Sequence, residues 1–129
     1  MVKGWNTIFS LYGPEAWTRL RDGGTLAASA RIVLREMLRS DLPTVERLAF
    51  SAGMSARTLQ RRLREEGTGF GELLEKVRRE IAVKKLSSGD VEIAALAREL
   101  GYSHTAALTR AVKRWTGRSP RSLLSKTNQ

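Results

Sequence analysis

The chain is 129 residues long, which suits one domain or two very small ones, and its 23 Lys and Arg against 13 Asp and Glu give a net charge of +10. It has no cysteine and one histidine, His104, which excludes disulfides, thiol nucleophiles and histidine-rich metal clusters. We therefore expect neither an enzyme nor a cofactor. Because no apolar run approaches the roughly 20 residues that span a bilayer, and no secretory signal is present, we expect a cytoplasmic protein. Its partner should be a polyanion, with nucleic acid ahead of an anionic membrane surface.

The composition changes near Gly23-Gly24. Residues 1–24 hold four of the eight aromatic side chains, yet only three basic and two acidic ones, a net charge of about +1. Pro14 fits the first turn of a short helix in this segment. We interpret residues 1–24 as the stump of a missing sensor domain or as a short arm. The aromatic side chains could form a surface that binds a partner, or they could pack back onto the first helix. They are Trp5, Phe9, Tyr12 and Trp17.

From Thr25 onward the pattern is all-α, with no alternation typical of strands. Predicted helices cover about 26–38, 44–51, 55–66, 68–86, 90–100, 103–116 and a short stretch from 119. Their starts are predicted at side chains that favour the N-cap position, namely Thr44, Ser55, Thr68, Asp90, Ser103 and Ser119. The helical spacing of the apolar residues predicts which side chains point inward, among them Ile32, Val33, Met37, Val45, Leu48 and Ala49.

The helical region repeats itself at an offset that drifts from about 48 to about 50 residues. Each copy has a short helix, a glycine-containing turn and a second helix, which is the pattern of a DNA-binding helix-turn-helix. Ala49 and Ala97 supply the small residue where the two helices cross, and Gly53 and Gly101 tolerate a left-handed turn. The predicted domains are a first unit at 25–67, a linker helix at 68–87 and a second unit at 88–129.

The second helix of the first unit carries a basic outward face. Leu59 and Leu63 point inward, and between Ser55 and Arg64 there are four arginines and no acid. A solvated charged face is the alternative, but such faces usually alternate in sign, and like charges one turn apart repel. We therefore favour contact with DNA. The outward residues are Arg57, Gln60, Arg61 and Arg64.

The matching helix of the second unit has a buried stripe of Leu108, Val112 and Trp115. Its outward residues are Thr105, Ala106, Thr109, Arg110, Lys113 and Arg114. The side chains at its start are short, so they can touch a thymine methyl group or a phosphate but cannot fork to guanine. We expect this unit to read bases more weakly than the first.

Four stretches together resemble the AraC/XylS family of bacterial transcription regulators. They are MSARTLQRRLREEG at 54–67, VRREIA at 77–82, LGYS at 100–103 and AVKRWTGRSP at 111–120. The resemblance covers about residues 26–125 and implies two homeodomain-like helix-turn-helix subdomains joined by a linker helix, with both recognition helices in successive major grooves. This chain departs from the family by having Leu108 and Val112 where phenylalanines are usual, and Arg121-Ser-Leu-Leu where an aromatic-Arg ending is usual.

The resemblance also assigns roles to residues. The base-reading positions are Arg57, Gln60 and Arg61 in the first unit and Thr105, Ala106, Thr109 and Arg110 in the second. Apart from the resemblance, the basic and polar side chains on and around the two units are expected at the DNA backbone; they are Arg47, Ser55, Arg64, Lys76, Arg98, Ser103, His104, Lys113, Arg114 and Arg118. No residue is expected to be catalytic or to hold a metal.

The function that the sequence predicts is a sequence-specific, double-stranded DNA-binding transcription regulator, an activator that meets RNA polymerase and not a membrane. The alternatives are a nonspecific nucleic-acid binder and a truncated regulator that acts through protein interaction. Two units in one chain can occupy an asymmetric site, so we expect the DNA-binding region to be monomeric. A dimer would form through residues 1–24 or a missing sensor domain. Glu65 and Glu66 are adjacent on a helix, which excludes an acid–base pair on one face.

Overall fold

The computed structural model describes residues 17, 23–40 and 42–127. Within them no strand occurs, and the regular elements are all helices, as predicted. The helices are α1 (Leu26–Ser40), α2 (Val45–Ser51), α3 (Ala56–Glu65), α4 (Phe70–Ser88), α5 (Ile93–Glu99), α6 (Thr105–Thr116) and α7 (Pro120–Thr127). The chain divides into two compact units whose boundary falls between Glu75 and Lys76, inside α4. None of the described helices is long and apolar enough to cross a membrane.

The core of the first unit forms where α1 contacts α2 and α3. Met37 of α1, Leu48 of α2 and Leu59 of α3 are fully buried, and each such side chain contributes roughly 1.5–3 kcal/mol through its removal from water. Ala49 is 1% exposed, as expected of the small residue at the helix crossing. Ile32 and Val45 were predicted to point inward but are only half-buried.

The second unit has its own core, built from α4, α5 and α6. Leu108 and Val112 are both fully buried, so these smaller side chains occupy the core positions where the family that the chain resembles usually has phenylalanine. The helix that follows, α7, packs Leu123 and Leu124 against the same cluster as half-buried residues. The buried members of the cluster are Ala82, Leu86, Leu96, Ala97, Leu100, Leu108 and Val112.

Two of the predicted helix starts are confirmed by side-chain caps in the first unit. The Thr44 and Ser55 hydroxyl oxygens accept hydrogen bonds from the amides of Arg47 and Thr58, at 3.1 Å in both cases. Ser119 makes the same bond before α7, accepting from the amide of Ser122 at 3.1 Å.

Three predicted caps are wrong. α4 begins at Phe70 rather than after Thr68, and it continues to Ser88, past the predicted break. α5 is preceded by Glu92 rather than Asp90, and Glu92 makes no side-chain cap bond. Val91 and Ile93 both pack against the core of the second unit, and α5 begins at Ile93.

The third wrong cap is Ser103, because the N-cap of α6 is His104, again without a side-chain cap bond. Four residues, 52–55, separate α2 from α3, whereas five, 100–104, separate α5 from α6. This extra residue moves the start of α6 and explains why the repeat offset grows from 48 to 49 within the turn.

Candidate nucleic-acid interface

Both helix-turn-helix turns share a main-chain hydrogen bond and a left-handed glycine. The amide of Met54 donates to the carbonyl of Ala49 at 3.0 Å, and 48 residues later the amide of Tyr102 donates to that of Ala97 at 2.9 Å. Gly53 and Gly101 have φ angles of 72° and 88°, in the left-handed region where a side chain is strained. The two predicted turns are therefore confirmed in backbone detail.

The first unit presents α3 as a helix with one buried and one exposed side. Leu59 and Leu63 are fully buried, which fixes the orientation of the helix. The predicted outward residues are all exposed, and together with Thr58 they line one surface depression; they are Arg57, Gln60, Arg61 and Arg64. Three guanidinium groups and one amide thus share one face of this helix.

One acidic residue lies beside this face. The Nε atom of Arg61 is 4.0 Å from a carboxylate oxygen of Glu65, one helical turn further on, and both side chains are more than 60% exposed. An exposed ion pair of this kind contributes about 0.2–1 kcal/mol. The guanidinium of Arg61 can therefore leave Glu65 at small cost.

The second unit presents α6 in the same way but with shorter side chains. Leu108, Ala111 and Val112 are buried, whereas Thr105, Ala106 and Arg110 are exposed. Thr109 is half-buried, although it was predicted to face outward. Counted from the helix starts, Ala106, Thr109 and Arg110 stand where α3 has Arg57, Gln60 and Arg61, at an offset of 49.

Trp115 was predicted to belong to the core rather than to stack on a base. It is half-buried and packs against the hydrophobic cluster of the second unit, as predicted. The guanidinium carbon of Arg114 lies 5.9 Å from the centre of its ring, within cation–π distance. Arg114 is exposed, and this contact holds it beside the end of α6.

The side chains predicted at the DNA backbone divide into two groups. The exposed ones are Ser55, Arg64, Lys76, Arg98, Ser103, His104, Lys113, Arg114 and Arg118. Arg47 is only half-buried, and its Nη1 atom donates to the carbonyl of Leu42 at 2.8 Å. Ser55 is exposed, but its hydroxyl caps α3 and also donates to the hydroxyl oxygen of Thr58 at 3.0 Å. These two residues are therefore already engaged within the protein.

Glu66 has a role that the sequence did not indicate. Its carboxylate oxygens accept hydrogen bonds from the amides of Leu26 at 2.9 Å and Ala27 at 2.8 Å, at the start of α1. A carboxylate at a helix N-terminus satisfies free amides and complements the helix dipole. Because these partners are about 40 residues apart in the chain, no local spacing could have predicted them. The bonds tie the end of the recognition helix α3 to the start of α1.

The predictions for the N-terminal segment mostly lie outside the described residues, including the helix at Pro14 and the positions of Trp5, Phe9 and Tyr12. Trp17 is described and is half-buried. No group of three acidic or histidine side chains that could hold a metal ion occurs in the described part of the chain.

Two helix-turn-helix units, each with an exposed basic second helix, define a DNA-binding domain. Residues 48–126 match the family described as "Helix-turn-helix domain", which is of the AraC type. The chain belongs to this family, whose members are DNA-binding transcription regulators and not enzymes.

Similar proteins agree with this assignment. The HTH-type transcriptional regulator VirS of Mycobacterium tuberculosis is 35% identical over 102 residues, which cover 79% of this chain and 30% of VirS. Among solved structures, the C-terminal domain of AraT, a response regulator from Geobacillus stearothermophilus, is 30% identical with a TM-score of 0.65, covering 78% of this chain and 84% of that one. The transcriptional regulator CdpR from Pseudomonas aeruginosa is 29% identical with a TM-score of 0.62, covering 77% and 36%. The chain spans about 30% of the length of VirS.

Proposed function

We propose that the chain recognises a specific double-stranded DNA site, with α3 and α6 in successive major grooves, as the DNA-binding part of a transcription regulator. The observation that carries this proposal is the repeated helix-turn-helix in which each second helix is anchored by buried aliphatic side chains and exposes basic ones. A helix of this kind fits the major groove, where the edges of all four base pairs can be distinguished.

In this proposal α3 does most of the base reading. Arg57 and Arg61 each fork to O6 and N7 of guanine, and Gln60 pairs bidentately with adenine, at roughly 1–3 kcal/mol of discrimination for each pair. In α6 only Arg110 offers a comparable fork. Thr105, Ala106 and Thr109 contact thymine methyl groups or phosphates.

Backbone contacts supply the rest of the affinity. The exposed basic side chains on and around the two units neutralise about 6–10 phosphates, so log K should fall with log salt at a slope of about −0.9 per contact. The residues proposed for these contacts are Arg47, Ser55, Arg64, Lys76, Arg98, Ser103, His104, Lys113, Arg114 and Arg118. Arg47 and Ser55 would have to contact a phosphate while they keep their hydrogen bonds within the protein.

The proposal also covers the kind of regulation, the location and the oligomeric state. VirS and CdpR are transcriptional regulators and AraT is a response regulator, which supports regulation of transcription for this chain. We propose activation through contact with RNA polymerase, in the cytoplasm, by a monomeric DNA-binding region. Sedimentation of residues 25–129 should show a monomer, and a dimer that needs residues 1–24 would locate its interface there.

The test is binding-site selection from random duplex DNA, followed by affinity measurements at one fixed salt concentration. The selected duplex should bind roughly 1,000-fold or more tightly than a shuffled duplex, the usual margin of specific over nonspecific binding. Equal affinity for the selected duplex, the shuffled duplex and single-stranded RNA would identify a nonspecific binder. No binding to any of them would favour a protein-interaction module, and a salt slope of about −2 would contradict docking through both units.

A further inference from the structure

Arg78 makes two contacts with the turn of the second unit. It lies on α4, and its Nε atom donates a hydrogen bond to the carbonyl of Leu100 at 2.8 Å. Its guanidinium carbon is also 4.9 Å from the centre of the Tyr102 ring. Leu100 and Tyr102 flank the turn glycine Gly101, so one side chain holds both sides of the turn.

The hydrogen bond from Arg78 satisfies the carbonyl of Leu100, which has no partner within α5. Leu100 is the C-cap of α5, and the last carbonyls of a helix have no amide partner within it. The end of a helix also carries partial negative charge, which favours a cation there. The planar guanidinium of arginine can donate to this carbonyl while its face lies over the tyrosine ring, which the ammonium group of lysine cannot do.

This turn needs support more than its counterpart in the first unit does. It is one residue longer, and the recognition helix α6 that follows it has no side-chain cap, whereas Ser55 caps α3. The turn connects α5 to α6, so its conformation sets the angle at which α6 meets DNA. Arg78 itself is half-buried and directed into the protein by both contacts.

We propose that Arg78 is a positioning residue for recognition by the second unit: it fixes the α5–α6 turn and thereby the orientation of α6 in the groove. The proposal rests on the proposed DNA-reading function. It assigns to a basic residue of the linker helix α4 an effect on sequence preference that does not involve touching the DNA.

The test compares Arg78→Met with Arg79→Met in the full chain. Methionine keeps a flexible apolar stem and removes the charge and the donor. Arg79 is the adjacent, exposed arginine of α4, so its replacement makes the same change in net charge. Site selection should show that Arg78→Met loses preference at the base pairs read by α6, keeps it at those read by α3, and binds the selected site roughly fivefold or more weakly. Arg79→Met should keep both sets of preferences.

A second measurement needs no DNA. Amide hydrogen exchange in the free protein should become about fivefold or more faster at Tyr102, whose amide closes the second turn, and stay unchanged at Met54, which closes the first. Exchange at Tyr102 that matches wild type would overturn the proposal, as would intact preferences in the α6 half of the site. A wild-type chain without any sequence preference would refute the proposed function, while the exchange data would still decide whether Arg78 holds the turn.

Arg78→Lys covers the case in which Arg78→Met does not fold. Lysine keeps the charge but lacks the planar donor. Arg78→Lys should therefore weaken the preference at the base pairs read by α6 and speed amide exchange at Tyr102, each by less than Arg78→Met does. If Arg78→Met is unfolded and Arg78→Lys behaves as wild type in both measurements, Arg78 is a folding residue and the proposal fails.

Discussion

The two helix-turn-helix units share a backbone and differ in the side chains that hold and use it. Their turn hydrogen bonds match at an offset of 48 residues, and both turns contain a left-handed glycine. The first recognition helix has a serine cap and long forked side chains, whereas the second has a longer turn, no side-chain cap and short side chains at its start. The comparison teaches that a repeated motif can keep its geometry through main-chain bonds while its copies diverge in how they meet DNA.

Removing a core leucine from each unit should have the largest effect. Leu59 and Leu108 are both fully buried, and replacing such a leucine by alanine leaves a cavity and destabilises a protein by roughly 2–5 kcal/mol. Chemical denaturation of Leu59→Ala and Leu108→Ala should show losses in this range. Leu42→Ala is the control, because Leu42 is 53% exposed and its loss should change stability by less than about 0.5 kcal/mol. A near-neutral Leu108→Ala would mean that the second core is not closed.

Replacing one arginine in each recognition helix comes next. Arg61→Ala should remove about 1–3 kcal/mol of discrimination at one or two base pairs, and Arg110→Ala should remove less sequence information in total. Lys113→Ala should weaken all sequences about equally, because a lysine near the helix end meets a phosphate. Position-by-position preferences from site selection measure all three. If Arg110→Ala erases more information than Arg61→Ala, the ranking of the two units is wrong.

The two hydrogen bonds between Glu66 and the start of α1 should matter somewhat less. Glu66→Ala removes the acceptor for the amides of Leu26 and Ala27, and we expect a loss of about 1–2 kcal/mol in the free energy of unfolding. Glu65→Ala is the matched control, since the neighbouring carboxylate is exposed and pairs with Arg61 on the same helix. Equal losses in the two variants would show that the bonds to α1 add no stability.

Exchanging the helix caps should give the smallest effect. Ser55→Ala should destabilise the protein by about 1 kcal/mol, because the amide of Thr58 loses its acceptor. His104→Ser should stabilise it by up to about 1 kcal/mol by supplying α6 with the missing cap. Thermal unfolding of both variants checks this pair, with His104→Ala as the control that adds no cap. A destabilised His104→Ser would mean that the imidazole has a structural role in the second unit.

Much of the fold followed from the sequence because it depends on short-range patterns. Apolar residues at helical spacing predicted the buried sides of α3 and α6, and the turn glycines marked both helix-turn-helix motifs. The predicted cap at Ser103 was wrong because Ser103 looks like the counterpart of Ser55, and the single extra turn residue became visible only in the helix bounds.

Long-range contacts between side chain and backbone were beyond local sequence reasoning. Glu66 reaches the amides of Leu26 and Ala27 at the start of α1, and Arg78 reaches a carbonyl 22 residues away. A backbone group has no signature in the sequence, so no pairing rule could have pointed to these contacts. Both residues look like members of solvated charged faces until the structure shows their partners.

The extra turn residue sets a rule for engineering binding specificity. A designer who wished to graft the reading side chains of α3 onto α6 would have to align the helices at an offset of 49, not the 48 that the turns suggest. Because each residue advances an α-helix by about 100°, a graft at an offset of 48 would put glutamine in place of the fully buried Leu108 and arginine in place of the half-buried Thr109. A chimera made in each frame would distinguish them, since only one should bind DNA with the transplanted preference.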